Sequence, residues 1–265
     1  MHQSHHVWPK SSFAFTNRAS SGVRSTLKRM PAEQLIDSTE LPTGQNKVDA
    51  VRNMFDAIAP RYDLVNRLMT FRMDVSWRQR AIGSLGLAPG SVVADLACGT
   101  GDLCFDLEQR SMTAIGVDLS FGMLKAAPRP FPRVQADALR LPFADGQLDG
   151  VTCGFALRNF ESLTPFCAEI ARVIRPKGRI SLLEVFQPSN PVLAAGHRIY
   201  FQRVVPFIGA IFSDRSAYSY LPKSVAYLPP TDQLLSMIRD AGFVDVHHVE
   251  LSGGITQLIT ATRAA

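Results

Sequence analysis

The sequence predicts an α/β protein built on a doubly wound, mostly parallel sheet of seven strands. Short apolar segments alternate with amphipathic segments from residue 91 to residue 186, which is typical of repeated strand–helix–strand units. The connections are short and contain Gly, Pro or Asp, as expected where helices cover both faces of a parallel sheet. Two further alternating segments close the chain.

Seven segments have the length and composition of strands. Five are short apolar runs of the kind found in buried parallel sheets: residues 91–96, 113–119, 133–136, 148–154 and 179–186. The last two, residues 244–251 and 255–262, alternate apolar and polar side chains on either side of a Ser-Gly-Gly turn. This pattern predicts an antiparallel pair added at one edge of the sheet.

Helices are expected between the strands and on both sides of them. The connecting helices are residues 103–108, 120–127 and 162–174, the last closed by a turn at residues 176–178. Residues 231–241 precede the final pair, with Thr231 as N-cap and Gly242 as C-cap. Apolar residues recur every three or four positions from Val48 to Leu85, and Pro60 interrupts them, so several helices precede the first strand.

The chain divides into an extension, residues 1–46, and a single domain, residues 47–265. Within the domain we expect an N-terminal helical cap over residues 47–88 and a helical, substrate-covering insertion over residues 186–230. We expect the extension either to be disordered or to result from a start assigned upstream of the true one. Its first 29 residues are rich in Ser and Arg and contain no acid, as in a transit peptide. A targeting segment and a true start at Met30 both remain open, and we favour the start at Met30.

Charge and cysteine usage exclude several classes of protein. The net charge of +5 resides in the first 30 residues, and the rest of the chain balances 23 basic against 23 acidic residues. A basic nucleic-acid footprint is therefore not expected. No uncharged apolar run approaches the about 18 residues that span a bilayer. The four cysteines form no CxxC pair and no zinc-like spacing, so we expect no metal.

A glycine-rich turn follows the first strand and predicts a ligand site, because ligands of doubly wound sheets bind beyond the carboxyl ends of the strands. Gly99, Thr100 and Gly101 form this turn, but the third glycine of a dinucleotide fingerprint is missing. Asp95 and Asp102 flank the turn. Carboxylates would repel a pyrophosphate and suit a cation, which favours S-adenosylmethionine, with its sulfonium and ammonium groups, over NAD.

Two more acids end neighbouring strands. Asp118 ends the second strand, where its carboxylate can accept hydrogen bonds from both ribose hydroxyls of a nucleoside. Asp137 follows the third strand, where its carboxylate is placed to meet an adenine amino group, with the Ala138 amide beside it. These positions predict a nucleoside site between the first three strands.

Several segments resemble a known family. Residues 93–102 (VADLACGTGD) resemble motif I of class I S-adenosylmethionine-dependent methyltransferases, whose fold is Rossmann-like. Further segments resemble the menaquinone and ubiquinone biosynthesis C-methyltransferases specifically. These are residues 55–63 (FDAIAPRYD), 135–143 (QADALRLPF), 154–159 (GFALRN), 175–179 (RPKGR) and 183–186 (LEVF). The resemblance covers the chain from Lys47 to the C-terminus.

The resemblance implies a cofactor, a reaction and a set of residues. Thr100, Asp118, Asp137 and Ala138 would contact S-adenosylmethionine, and a position that is usually Ser falls on Gly154, which leaves only a backbone contact. The implied reaction is methylation of a ring carbon of a demethylated isoprenoid quinol, without a metal. The short connection between Asp118 and Asp137 favours a bacterial enzyme that converts demethylmenaquinol to menaquinol.

Four residues are candidates for catalysis, each with a structural alternative. Arg158 could stabilise a developing phenolate or anchor its loop. Tyr62 could position the quinol and Asp63 could transfer a proton, or both could serve the helical cap. Asn159 could orient the substrate or begin a helix. The chemistry does not require the histidines at positions 197, 247 and 248.

The insertion is expected to cover the substrate and to touch a membrane. It contains four of the five tyrosines, at positions 200, 218, 220 and 227, and four basic residues against one acid. Aromatic and basic side chains together fit the surface of anionic lipid, although a core-packed subdomain is also open. We expect a cytoplasmic protein at the inner face of the membrane, with a homodimer left open.

Rival functions remain. Another class I methyltransferase, acting on a methoxy-benzoquinol, a sterol or a polyketide, would use the same motif I. A non-catalytic scaffold that binds the cofactor is a different class again. A nucleic-acid methyltransferase is disfavoured, because residues 154–159 lack the Asn/Asp-Pro-Pro-aromatic pattern.

Overall fold

A seven-stranded sheet forms the centre of the protein, in the order β3-β2-β1-β4-β5-β7-β6. The first five strands pair in parallel, whereas β7 is antiparallel to both β5 and β6. The predicted sheet and its antiparallel edge are thus confirmed. The strands are β1 Val92–Leu96, β2 Thr113–Asp118, β3 Arg133–Gln135, β4 Leu148–Gly154, β5 Ile174–Val185, β6 Phe243–Leu251 and β7 Thr256–Arg263.

The computed structural model describes residues 42–205, 207–208 and 215–265, except for the side chains of residues 215–219. Residues 1–41, which hold both candidate starts, lie outside the described residues. The same is true of the Tyr218 side chain.

The fifth strand begins earlier than expected. β5 starts at Ile174, directly after the preceding helix, and its register against β4 shifts between the Leu148 and Gly150 pairings. Lys177 has a positive φ of 66° within this stretch. The predicted turn at residues 176–178 is therefore an irregularity inside a strand, because the chain pairs with β4 both before and after it.

Along the chain, helices occur before, between and after the strands. Those that connect or follow strands are α4 Asp102–Glu108, α5 Phe121–Ala126, α6 Leu163–Val173 and α9 Thr231–Asp240. Thr231 is the first helical residue of α9 and makes no capping bond, so its prediction as N-cap was wrong. The predicted terminator Gly242 lies one residue beyond the C-cap, with a φ of 91° that favours glycine there.

Within the part of the chain that the structure describes, three helices precede the sheet: α1 Gly44–Ile58, α2 Tyr62–Met69 and α3 Met73–Leu85. A 3₁₀ turn, Ala59–Arg61, contains Pro60 and separates α1 from α2, as the sequence predicts. α1 begins at Gly44, so residues 44–46, which the sequence places in the extension, are helical.

Polar contacts fix these helices over the carboxyl edge of the sheet. The Asp56 carboxylate accepts hydrogen bonds from the Ser120 hydroxyl at 2.5 Å and from the Gly122 amide at 2.8 Å, at the start of α5. The Lys47 ammonium donates to the Phe160 carbonyl at 2.6 Å, beyond β4. The helical cap therefore lies where ligands of this fold bind.

The insertion is helical, as predicted, and packs on the cap. Its described elements are α7 Pro191–Ile199, a π-helical turn Tyr200–Val204, α8 Arg215–Ser224 and a 3₁₀ turn Val225–Tyr227. One apolar cluster unites the cap and the insertion and includes Met54, Ile58, Val65, Met69, Val205 and Tyr220. The Tyr200 hydroxyl also donates to the Met69 carbonyl at 2.6 Å. No described helix is long and apolar enough to cross a bilayer.

Candidate active site

The glycine turn after β1 has a backbone that few residues can adopt. Gly99 and Gly101 have φ values of 57° and 91°, in the left-handed region. A Cβ on Gly101 would lie 2.4 Å from the Phe131 ring, so the turn excludes any side chain there. Ala97, just before the turn, also has a positive φ of 52°. The left-handed backbone, and at Gly101 the close approach of the Phe131 ring, thus require glycine at both positions.

Asp118 ties the ends of two strands together. Its carboxylate accepts the Gly99 amide at 2.7 Å and the Ser120 amide at 2.8 Å. A carboxylate has about four acceptor positions, so both oxygens retain capacity for further donors. Burial raises the pKa of Asp118 above its usual value. The residue lies where the sequence places a ribose-binding acid.

A small cavity of about 100 Å³ joins the predicted nucleoside residues. Asp118, Asp137 and Ala138 line it, with Gly154 at the end of β4. Asp137 is exposed and accepts the Leu139 amide at 2.9 Å, whereas Ala138 is buried. The residues that the sequence assigns to one ligand therefore share one cavity.

A larger cavity of about 460 Å³ extends from the glycine turn to the insertion. Asp95 and Thr100 line one end of it, and His197 and Tyr200 line the insertion side. The two cavities have six lining residues in common, namely Phe55, Tyr62, Ala97, Gly99, Gly154 and Phe155. A ligand with a nucleoside at one end and a charged chain at the other could span both cavities across this shared wall.

Asp95 is the most deeply buried acid at the turn, with 1% of its surface exposed. It accepts the Thr152 hydroxyl at 2.8 Å and the Cys104 thiol at 3.7 Å. Burial raises the pKa of Asp95 to about 7. A cation bound beside it would favour its ionised form, so the chemistry of this end of the cavity fits the positively charged portion of S-adenosylmethionine.

Asp102 was expected to offer its carboxylate to a cationic ligand, but that carboxylate already has a partner in the protein. Its carboxylate lies 3.1 Å from the Arg78 guanidinium, which also contacts Asp74 and approaches Asp106 at 2.9 Å. Asp102 is therefore an ion-pair partner that fixes α4 against α3. Three carboxylates around one guanidinium still leave this wall with an excess of negative charge, which favours a cationic ligand.

Two of the predicted catalytic residues lie at the turn. The Thr100 hydroxyl donates to the Asp63 carboxylate at 2.5 Å. The Tyr62 ring lies between the two cavities, and its Cε1 atom would be 3.8 Å from a Cβ on Gly99. Burial raises the pKa of Tyr62, so its hydroxyl keeps its proton at neutral pH. The helical cap thus places both residues against the cofactor turn.

Arg158 is buried and heavily bonded. Its guanidinium pairs with Glu184, which is 0% exposed, and donates to the Phe155 carbonyl at 2.8 Å and to the Ser224 hydroxyl at 3.1 Å. The residue lines the large cavity, but these bonds join β4, β5 and the insertion. The geometry favours the anchoring alternative, and a catalytic role for Arg158 stays a prediction.

Asn159 lies on the other side of this turn. It lines the small cavity, and its amide oxygen accepts the Tyr220 hydroxyl at 3.3 Å. The structure therefore brings Asn159 to the predicted nucleoside residues and to the insertion. A role in orienting the acceptor stays a prediction.

Sequence reasoning missed the residues of the insertion wall. His197, on α7 of the insertion, and Thr256, the first residue of β7, both line the large cavity. Neither position belongs to a motif, so periodicity and spacing carried no signal for them. Among the described residues, no group of His, Cys, Asp and Glu could hold a metal ion.

The sequence is similar to a family of known enzymes. The family model described as the ubiE/COQ5 methyltransferase family matches residues 43–263. Ubiquinone/menaquinone biosynthesis C-methyltransferase UbiE of Syntrophotalea carbinolica is 40% identical over 222 residues, covering 80% of this chain and 94% of that protein. Demethylmenaquinone methyltransferase of Thermus thermophilus is 41% identical, covering 79% of this chain and all of that protein.

Solved structures with the same fold are more distant in sequence. A methyltransferase of Thermotoga maritima superposes with a TM-score of 0.57 at 18% identity, over 80% of this chain and 99% of that one. Phosphoethanolamine N-methyltransferase 2 of Haemonchus contortus, in complex with S-adenosylhomocysteine, gives a TM-score of 0.59 at 12% identity, over 81% and 60% of the two chains. These likenesses establish a Rossmann-like, class I methyltransferase fold.

Proposed function

The chain belongs to the ubiE/COQ5 methyltransferase family and is an S-adenosylmethionine-dependent methyltransferase, and from this premise we propose that it converts demethylmenaquinol to menaquinol. The methyl group is added to a ring carbon of the quinol. Relatives named demethylmenaquinone methyltransferase, such as that of Corynebacterium kroppenstedtii at 39% identity over 83% of this chain, support the menaquinone branch.

The observation that carries the proposal is the pair of cavities that meet at the glycine turn. The small cavity contains the two acids suited to a nucleoside, and the large one begins at Asp95 and Thr100. We assign cofactor contacts to Asp95, Gly99, Thr100, Gly101, Asp118, Asp137, Ala138 and Gly154. The remainder of the large cavity is then left for the acceptor.

The acceptor portion of the large cavity suits a flat apolar ring. Its wall includes Trp77, Phe155 and Phe201 together with aliphatic side chains from the cap and the insertion. An apolar cavity of this kind favours a naphthoquinol head group and excludes water from it. A sugar, a nucleotide or a polar amine would find few partners there.

The bound S-adenosylmethionine supplies an activated sulfonium methyl group, and the protein supplies position and shielding. Tyr62 keeps its proton and can donate a hydrogen bond at the shared wall. Asp63 holds the Thr100 hydroxyl and with it the turn. Arg158 fixes the end of β4 through Glu184. In-line positioning of the ring carbon then contributes much of the rate acceleration.

Labelled methyl transfer tests the proposed function. Purified protein and labelled S-adenosylmethionine are incubated with demethylmenaquinol, a demethylated methoxy-benzoquinol or a sterol, and the extracted lipid is counted. Label in menaquinol at the highest kcat/KM is expected. A preference for the benzoquinol or the sterol would overturn the menaquinone assignment, and cofactor binding without any turnover would favour the scaffold alternative.

We further propose that the insertion faces the cytoplasmic surface of the membrane. Val192 and Phe207 are 80% and 66% exposed, and Phe71 of the cap, whose ring lies 5.9 Å from that of Tyr200, is 71% exposed. Exposed basic residues at positions 198 and 203 lie among them. Apolar and cationic side chains at the mouth of an apolar cavity support contact with anionic lipid.

Flotation with vesicles tests this surface. Val192→Ser with Phe207→Ser should reduce binding to phosphatidylglycerol vesicles, whereas Phe121→Ser, on an exposed phenylalanine of α5, serves as the matched control. Equal flotation of all three proteins would contradict the lipid assignment. Sedimentation of the same samples tests the homodimer, because a dimer that dissociates on the double substitution would assign this surface to a second copy.

A further inference from the structure

The large cavity contains a histidine that the proposed mechanism does not use. His197 lies on α7, on the insertion side of the cavity, and its ring is 4.4 Å from the Phe201 ring. Its Nε2 atom is buried and has no hydrogen-bond partner among the described residues. A buried imidazole nitrogen without a partner is costly, and in a substrate cavity it points to a partner that arrives with the substrate.

Most of the other ionisable side chains that line this cavity have a hydrogen-bond or ion-pair partner. Carboxylates that have partners are Asp63 with Thr100, Asp95 with Thr152, and Asp74 and Asp102 with Arg78. The Tyr200 hydroxyl donates to the Met69 carbonyl, and Arg158 pairs with Glu184. His197 therefore differs from them in that its Nε2 atom has no hydrogen-bond partner among the described residues, and a substrate hydroxyl would supply one.

A second polar atom in the same cavity has the same property. The Thr256 Oγ1 atom is buried and also lacks a hydrogen-bond partner among the described residues. A quinol carries two ring hydroxyls, so two buried polar atoms without partners on this wall match its polar groups in number. This agreement supports a quinol over a singly hydroxylated acceptor.

We propose that His197 is the proton acceptor for the quinol hydroxyl, an assignment that rests on the proposed function. The hydroxyl proton passes to Nε2, and the resulting phenolate makes the neighbouring ring carbon nucleophilic. That carbon forms a bond to the methyl group as the sulfur–methyl bond breaks, leaving S-adenosylhomocysteine. The ring carbon then loses its hydrogen as a proton to water, and His197 returns its own proton to the oxygen, so that one proton is released overall.

The state of the imidazole suits this role. Burial lowers the pKa of His197 below its usual value, so the ring is neutral at pH 7 and can accept a proton. A general base in this position contributes typically about 100-fold or more to turnover. Its loss should therefore appear mainly in kcat.

His248 provides a matched control. Its Nε2 atom is also buried and without a hydrogen-bond partner among the described residues, but it packs against the Phe186 ring and lines neither cavity. We expect His197→Gln to lower kcat on demethylmenaquinol by about 100-fold with a small change in KM. His248→Gln should match the parent. Cofactor affinity by calorimetry should be equal in all three proteins.

Two readouts separate proton acceptance from packing. Added imidazole should restore turnover to His197→Ala and leave the reduced turnover of His197→Gln unchanged. In nitrogen NMR of histidine-labelled parent protein, an unsubstituted naphthoquinol added with S-adenosylhomocysteine should shift the His197 Nε2 resonance and leave that of His248 unmoved.

Failure of the role of His197 can be distinguished from failure of the proposed function. A parent that methylates demethylmenaquinol while His197→Gln keeps full kcat overturns the role of His197 and leaves the proposed function standing. An unmoved His197 resonance in that active parent does the same. A parent that methylates neither quinol overturns the proposed function, and the role of His197 with it.

Discussion

The Thr100 hydroxyl donates a 2.5 Å hydrogen bond to the Asp63 carboxylate, and this bond joins the cofactor turn to the helical cap. The two residues are 37 positions apart in the sequence and belong to different layers of the fold. The bond therefore couples the position of Thr100 in the turn to the docking of α2. Cofactor binding and closure of the cap should depend on each other.

Replacing Asp63 separates support of the turn from proton transfer. Asp63→Leu removes the acceptor of the Thr100 hydroxyl, whereas Asp63→Asn keeps an oxygen in the same place and cannot act as a base. We expect the Leu variant to lose cofactor affinity and turnover, and the Asn variant to stay within about tenfold of the parent in kcat/KM, a difference of about 1.4 kcal/mol. An Asn variant as inactive as the Leu variant would assign proton transfer to Asp63.

Asp118→Ala should weaken S-adenosylmethionine at least about tenfold, because each charge-assisted bond to a ribose hydroxyl contributes about 1.5–3 kcal/mol. Calorimetric titration measures the affinity. Asp149→Ala is the control, since Asp149 also accepts a strand amide, from Val92 at 2.6 Å, but lines neither of the two cavities. Equal affinity in the Asp118 variant and the parent would remove Asp118 from the site.

Cofactor affinity should rise with pH through neutrality. Asp95 has a pKa of about 7 in the free protein, and a bound cation favours its ionised form. Binding should therefore strengthen from pH 6 to pH 8 and release protons near pH 7. Calorimetry in buffers of different ionisation enthalpy counts those protons. Asp95→Asn should abolish the pH dependence, and a parent with pH-independent affinity would contradict the assignment.

The Asp95 carboxyl should also affect the stability of the free protein, but with the opposite dependence on pH. Because its pKa is raised on folding, the folded chain binds a proton more tightly than the unfolded chain between about pH 4 and pH 7. The contribution of Asp95 to stability therefore falls as pH rises through this window. Thermal melts should show Asp95→Asn gaining on the parent toward pH 8, and parallel melting curves at all pH values would count against the raised pKa.

The buried pair of Arg158 and Glu184 should matter for stability before it matters for chemistry. Removing one partner leaves an unpaired buried charge, which typically costs about 3–5 kcal/mol. Chemical denaturation of Glu184→Ala and Arg158→Ala should show losses of this size in both proteins. A fully stable Arg158→Ala protein with a reduced kcat would instead favour the catalytic role.

The sheet and the cofactor end of the site were predictable because both follow from local patterns. Short apolar segments with intervening helices allow few arrangements, and parallel strands bring their carboxyl ends to one edge. Asp118 and Asp137 end neighbouring strands, so their meeting required no knowledge of side-chain packing. The resemblance in residues 154–159 added the family, which the spacing alone did not specify.

The acceptor end was not predictable in the same way. The partner of Arg158 lies 26 residues away and meets it because β4 and β5 are neighbours. A signal for that pair was present, since a carboxylate at position 184 in an apolar strand needs a buried partner. No comparable signal exists for His197, because its surroundings form only when the insertion packs on the cap.

The apolar cluster shared by the cap and the insertion also affects how the polyprenyl tail of a quinol substrate is accommodated. A chamber of about 460 Å³ that must hold the reacting ring and one end of the cofactor has no room for a long polyprenyl chain. If the chain methylates an isoprenoid quinol at a membrane, as proposed, the hydrocarbon tail extends outward past Phe71 and α7, toward lipid. Quinols with few or many isoprene units would then present the same chemistry to the interior, and tail length would influence how substrates are delivered more than how they react.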